Sequence, residues 1–285
     1  MSNDKKWLVN TLEEETAFDA SSFCTSMSES EPNPIDDFYS YSRDIIKLGS
    51  PSQLTENPIL GRLLLLALVS GVELYFRSIL SGIIKHCPIA RKHAFKQQIS
   101  LENVEYYGFD EIGLGLLEGV SLADSGSIKK ETKRLTGIEL KNGKSSVWIS
   151  LLDFDKICQF RHATAHSRGQ LSARNLRELG ISVDRTNRSA LSVSLKEFQN
   201  AAQICHNCVQ AYNRYMYRKF IERWLGNHIL TSEWDTDSKK FSNLFKLFKS
   251  EIDNVAFNLP KEAYMGLMPA ILNSLTKAVK LNTDN

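Results

Sequence analysis

Between Ile59 and Lys85 the chain reads ILGRLLLLALVSGVELYFRSILSGIIK, with apolar residues at spacings of three and four covering much of the helical circumference. A helix that is apolar nearly all round belongs inside a protein, so this segment is predicted as the central helix, opening near Pro58 and ending near Pro88. Its uncharged stretch, Leu63 to Val72, is ten residues long. That is well short of the roughly 20 apolar residues a membrane-spanning helix needs, which favours burial in a core and no membrane partner.

Two further long helices follow from the same patterning. Leu151 to about Ser167 carries an apolar stripe, with Ser150 as the expected N-cap, Asp153 in the first turn and Gly169 as the stop. Ser194 and Glu197 have the spacing of a capping box and open a helix with Phe198, Ala201, Cys205, Cys208, Tyr212 and Met216 along one face. Gly226 and Asn227 are its expected end. A shorter helix is expected at Asp36–Leu48, and two amphipathic segments at Ser238–Phe257 and Lys261–Lys280 form a C-terminal helical extension. Residues 88 to 147 are less regular and predict surface loop with short helices. The alternation Leu191, Val193, Leu195 suggests one strand of a minor β-hairpin.

The fold class is therefore all-α, a bundle of long antiparallel helices over about residues 41 to 225, followed by the extension at 226–285. Residues 1 to 40 begin differently. Glu13, Glu14, Glu15, Asp19, Glu29 and Glu31, with many serines and two prolines, make an acidic arm that can bury little apolar surface. It lacks the order of a signal peptide. Five cysteines in mostly apolar surroundings suit a reducing, cytoplasmic setting better than a disulfide framework.

The net charge of +2 hides a polarised distribution. Between Arg161 and Arg223 bases outnumber acids by seven, with Tyr212, Tyr215 and Tyr217 interleaved. That combination suits either a solvated helix face or a surface that tracks phosphates and stacks bases, against which the acidic arm would compete.

The densest chemistry lies in QFRHATAHSRG, residues 160 to 170. Arg161 and His166 are about 140° apart round an ideal helix, whereas His162 and His166, four apart, share a face with Arg161 at its flank. A guanidinium grips phosphate with paired donors, and an imidazole exchanges protons near neutral pH. Together they meet the needs of metal-independent phosphodiester cleavage. Glu73 has two candidate partners: Arg77, one turn along its own helix, or a cation on another helix such as Arg161.

Arg161-His162-Ala163-Thr164-Ala165-His166 resembles the R-x(4–6)-H motif of HEPN domains, in which a polar residue such as His162 follows the arginine. The order of an early apolar helix, a motif helix and a final long helix is similar too. The resemblance implies a helical bundle, a homodimer with motif helices facing each other, and metal-independent endoribonuclease activity leaving a 2′,3′-cyclic phosphate. It implies Arg161 on the scissile phosphate, His166 as acid and base, and His162 as its orienting neighbour; Arg168 is a candidate substrate contact and Glu73 an orienting residue. No cofactor is implied. An antitoxin or other defence-system partner would fit the toxin-type and antiphage members, and a non-catalytic RNA-, nucleotide- or protein-binding module fits the members without catalysis.

Two blander readings compete. Arg161 and the histidines could simply complement the dipole at a helix C-terminus. His162, His166, Cys205 and Cys208 could supply four zinc ligands, although both cysteines fall on the apolar stripe of their helix, which explains them as core. His206 is expected at the surface.

Overall fold

The computed structural model describes residues 9–10, 16–26, 33–182 and 188–283, with side chains as far as 276 in the last helix. Among the described residues the fold is all-α. The chain divides into two compact units, Met1–Glu31 and Pro32–Asn285. In the first, Asp19 caps one turn of 3₁₀ helix at Ala20–Phe23, accepting from the Ser21 N–H at 3.0 Å. Glu13, Glu14, Glu15, Glu29 and Glu31 of the acidic arm lie outside the described residues.

The second unit contains helices α1 (Pro34–Lys47), α2 (Pro51–Glu56), α3 (Pro58–His86), α4 (Pro88–Ala94), α5 (Leu101–Tyr107), α6 (Ile112–Leu116), α7 (Ser125–Thr136), α8 (Ser146–Ser167), α9 (Ala173–Glu178), α10 (Leu195–Gly226), α11 (Trp234–Phe248) and α12 (Pro260–Thr283). Helix α3 is the axis. Leu68, Val69, Val72, Phe76, Ile79 and Leu80 on it are fully buried, as its near-continuous apolar surface requires.

Contacts along α3 fix the directions of its neighbours. The Tyr75 hydroxyl donates to Asn213 at 3.1 Å, and the Trp224 indole N–H points at the Cys87 thiol at 3.2 Å, so α10 runs parallel to α3. Arg62 reaches the Arg168 carbonyl while Glu73 lies beside Arg161, so α8 runs antiparallel to both. Helix α1 crosses the other side, antiparallel to α3, with Phe38 edge-on to Tyr75 and Tyr41 beside Gly71.

Several boundaries differ from expectation. Helix α8 starts five residues earlier than its pattern suggests, capped by Ser145, whose hydroxyl accepts from the Trp148 N–H at 3.4 Å. Ser150 is therefore an interior residue, and Asp153 pairs with Lys156 at 2.8 Å. Residues 88–147 are no mere surface: Ile128, Leu135 and Leu140 enter the core, and the Thr132 and Tyr212 hydroxyls meet at 2.7 Å. The hairpin shrinks to one antiparallel bridge, Gln170 with Ala190, and Leu195 already belongs to α10. There Glu197 reaches back to accept from the Ser194 N–H at 3.2 Å, as the capping-box spacing predicts.

Helices α11 and α12 share the core of the rest. Phe248 packs on Tyr217 and Phe220 of α10, Asn213 donates to the Phe248 carbonyl at 2.7 Å, and Ser274 donates to the Leu225 carbonyl at 2.5 Å. Asp237 ties the two helices together. Its carboxylate, wholly buried, accepts from the Thr231 N–H (2.7 Å), the Tyr264 hydroxyl (2.6 Å) and Lys240 (2.8 Å).

Candidate functional site

Helix α8 ends through backbone geometry that displays its last turn. Arg168 adopts a left-handed conformation with φ 51°, Gly169 follows at φ 85°, and the Gly169 N–H returns to the Ala163 carbonyl at 2.9 Å. A left-handed arginine costs about 1–2 kcal/mol relative to ordinary helix, which the hydrogen bond from Arg62 to its carbonyl helps to offset. A side chain at Gly169 would be strained by its φ and would displace Arg62, since a Cβ there would stand 2.5 Å from the guanidinium.

On the turn so displayed, His162 and His166 lie one above the other, ring centroids 4.6 Å apart and planes inclined by 50°. Both are exposed. Arg161 is turned inward, 34% exposed, with Nη2 3.8 Å from Oε2 of Glu73, itself only 15% exposed. The other carboxylate oxygen of Glu73 accepts from the Leu122 N–H at 2.9 Å and the Ser121 hydroxyl at 3.3 Å. Glu73 is thus held by the 121–122 backbone with one oxygen left for the arginine.

Of the two candidate partners for Glu73, the structure selects the one on the other helix. Arg77 turns away and donates to the carbonyls of Leu117 and Val120, the first of which also accepts from the Val120 N–H at 3.1 Å. Nothing in the spacing of residues 73 and 77 signals this, because the acceptors are main-chain atoms 40 and 43 residues away. The rule that a buried carboxylate must be paired was the available clue.

A cleft of about 810 Å³ opens beside this arrangement, between α8, α9 and the start of α7. Arg161 and His162 line it; His166 and Arg168 do not. Its floor is polar. Gln159 accepts from Asn175 at 3.0 Å, and Asp155 accepts from the Ser125 N–H at 2.6 Å and its hydroxyl at 2.5 Å. Burial raises the Asp155 carboxyl above the usual aspartate range, against the pull of those two hydrogen bonds. Lys156 and Arg174 line the same space with Asp124, Asp153 and Glu178, Lys156 being paired with Asp153 on α8 itself, so the cleft is mixed in charge.

The other sequence candidates separate. Cys205 and Cys208 are fully buried, with burial pushing the Cys205 thiol up to about 12, while His162 and His166 face solvent. These four side chains do not converge, and no group of three metal-ligating residues occurs among the described residues. All five cysteines are free thiols. Tyr212 is core, and Tyr217 is mostly buried, its hydroxyl pushed up to about 12 by desolvation. Only Tyr215 keeps the expected company of cations, with Arg218 and Lys219 each 5.8 Å from its ring. Arg223 donates to the Thr136 carbonyl and serves packing. Arg185 lies outside the described residues.

His206 departs most from its expected surface position. It is half-buried, stacked on Tyr39 at 5.3 Å with planes 5° apart, and hydrogen-bonded through Nε2 to Ser42 Oγ at 2.6 Å. Burial lowers its pKa below the ordinary histidine value, against the charge of Asp253. Its neighbours Tyr39 and Ser42 lie in α1, which sequence periodicity within α10 does not register.

Comparison with known protein families, with curated proteins and with solved structures gives no match for this chain.

Proposed function

We propose that the chain is a metal-independent endoribonuclease of HEPN type. The observation that carries this reading is the ordering of Arg161 by the anchored Glu73 carboxylate beside two adjacent, exposed imidazoles. In the reaction the 2′-oxygen attacks phosphorus as the bond to the 5′-oxygen breaks, giving a 2′,3′-cyclic phosphate and a 5′-hydroxyl. One proton leaves the 2′-hydroxyl and one reaches the departing 5′-oxygen. Arg161 holds the phosphate as its charge grows, His166 exchanges the protons, and His162 orients His166. Arg168, exposed at the end of the same helix, would add a contact to an adjoining phosphate. A second copy of α8 across a two-fold axis would supply acid and base separately, which makes a homodimer the working form. The setting proposed is cytoplasmic, in growth control or antiphage defence with a cognate partner protein.

A second reading has its own support. The cleft that takes Arg161 and His162 excludes His166 and carries Asp124, Asp153 and Glu178, a lining suited to a compact ligand bearing hydrogen-bond donors. On that reading the chain is a non-catalytic binding module. One experiment separates the two: incubation of the full chain with single-stranded and structured RNA in EDTA, alongside Arg161→Ala, His162→Ala and His166→Ala, with chemical identification of new ends. The nuclease reading expects cyclic phosphate ends and a loss of about 10²-fold or more in His166→Ala. Binding without cleavage by the wild-type chain favours the module, and cleavage surviving both Arg161→Ala and His166→Ala rules out the assigned site.

A further inference from the structure

A second cavity, of about 620 Å³, opens on the far side of α10, where α10, α11, α12 and the segment 249–257 meet. Its size falls in the range of small-molecule sites, and its walls are aromatic and aliphatic: Tyr217, Phe245, Phe248, Val255, Phe257 and Leu267. Polar side chains share the lining, Gln210, Asn213, Ser250, Asp253 and Asn254 among them, and two more are cations, Arg214 and Lys249.

Lys249 is the informative residue. Its side chain is only 7% exposed, and its sole ion-pair partner among the described residues, Glu251, is itself largely in solvent. Burying an ammonium is expensive unless anions or hydrogen-bond acceptors surround it, and one exposed carboxylate takes one of its three protons. Arg214 is exposed at the cavity rim and has no ion-pair partner among the described residues. The one acid lining the cavity, Asp253, accepts from the Tyr39 hydroxyl at 2.9 Å, to which Gln210 also donates at 2.8 Å. Among the described residues Arg214 is thus the lining cation without an ion-pair partner, while Lys249 is paired with Glu251.

The chamber is also preformed. Asp36 of α1 accepts from the Ser250 hydroxyl and the Glu251 N–H (2.7 Å), fixing the segment that carries Lys249. On the opposite wall the Phe257 ring lies so close to Gly266 of α12 that a Cβ there would stand 2.8 Å from it. Glycine is a poor helix former, and here it lets an aromatic ring form part of the wall.

We propose that this cavity binds an amphipathic carboxylate, an aliphatic or aromatic chain ending in one acidic group, with the chain against the phenylalanines and the carboxylate on Lys249 and Arg214. The site is separate from Arg161 and the histidines, and its test does not depend on ribonuclease activity. The full chain is titrated with 11-(dansylamino)undecanoic acid, and the probe is displaced with decanoate or with decan-1-ol. Saturable fluorescence enhancement is expected, with decanoate competing at least tenfold better than the alcohol. Arg214→Gln should weaken decanoate at least tenfold and leave decanol unchanged. Gly266→Leu should remove probe binding; Val255→Trp, on the segment lining the cavity, does the same by filling it without touching a helix interior. Melting curves of each free variant establish that it is folded. Absence of saturable binding by the wild-type chain, equal competition by acid and alcohol, or wild-type binding by a folded Val255→Trp would each overturn the proposal.

Discussion

Replacing Glu73 with glutamine isolates the contact on which the orientation of Arg161 depends. At 3.8 Å the bare attraction between the two charges is about 4 kcal/mol at an effective dielectric of ~20. Most of that is cancelled by desolvation of Glu73 and by solvent screening of Arg161, a third of which is exposed, leaving about 1 kcal/mol of net coupling. Glutamine keeps an acceptor for the Leu122 N–H, so the loop contact survives and the measured difference belongs to the charge. The assay is a double-mutant cycle in urea: wild type, Glu73→Gln, Arg161→Met and the pair, with unfolding free energies from the midpoints and slopes. The two single losses should exceed the loss in the double variant by about 1 kcal/mol. Additivity to within about 0.3 kcal/mol would mean that the two groups are neighbours without energetic coupling, and the account of how Arg161 is held would fail.

Three other outcomes follow from the geometry. Gly169→Ala should destabilise by about 1–2 kcal/mol in urea unfolding, because φ 85° is strained for alanine and its methyl meets the Arg62 guanidinium; an unchanged midpoint would refute the close approach. Asp237→Ala should cost about 3 kcal/mol or more, since it strips acceptors from Thr231, Tyr264 and Lys240 at a wholly buried point, and a loss below ~1 kcal/mol would show that α12 does not rely on it. His206 has a lowered pKa in the folded chain, so the unfolded chain binds the extra proton first as pH falls. Its stabilising contribution is therefore complete above the ordinary histidine value of about 6.5 and is lost as pH drops through that value towards the lower folded one. Urea midpoints at pH 7.5 and pH 5 should differ more for the wild type than for His206→Gln, and equal differences would count against the buried Ser42–His206 contact.

The long helices are legible in the sequence because each carries its own signal: the apolar circumference of α3, and the Ser194–Glu197 spacing that opens α10. Their boundaries at Pro58 and Gly226 follow from local chemistry. The stretch from 88 to 147 is not legible in the same way. Helices α4 to α7 are 5 to 12 residues long, too short for periodicity to register, and Ile128 and Leu135 are buried by what packs on them from elsewhere in the chain. The candidate site divides along the same line. The contact of His162 with His166 is a property of four-residue spacing within one helix, whereas the holding of Arg161 by Glu73 joins positions 88 residues apart in sequence and becomes visible only when α3 and α8 lie side by side. The tyrosines at 212, 215 and 217 carry the converse lesson: their interleaving with cations reads as one surface, but the helical turn sends the first to the core and leaves the second half-buried beside its cations.

Charged side chains of α3 hold the segment from Leu117 to Leu122 through its main chain, Arg77 on two carbonyls and Glu73 on one N–H, with the Ser121 hydroxyl as a further contact, while the Leu117 and Leu122 side chains are fully buried in the core. Such a clamp is sensitive to how many residues the segment has. Substitution of the exposed Glu118 should be tolerated by it, unlike changes at the buried Leu117 and Leu122 or at Gly119 with φ 69°, and deletion or insertion of a single residue shifts the carbonyls out of register with the two charged side chains. The length of this stretch, together with its buried leucines, sets where the Arg161 guanidinium points.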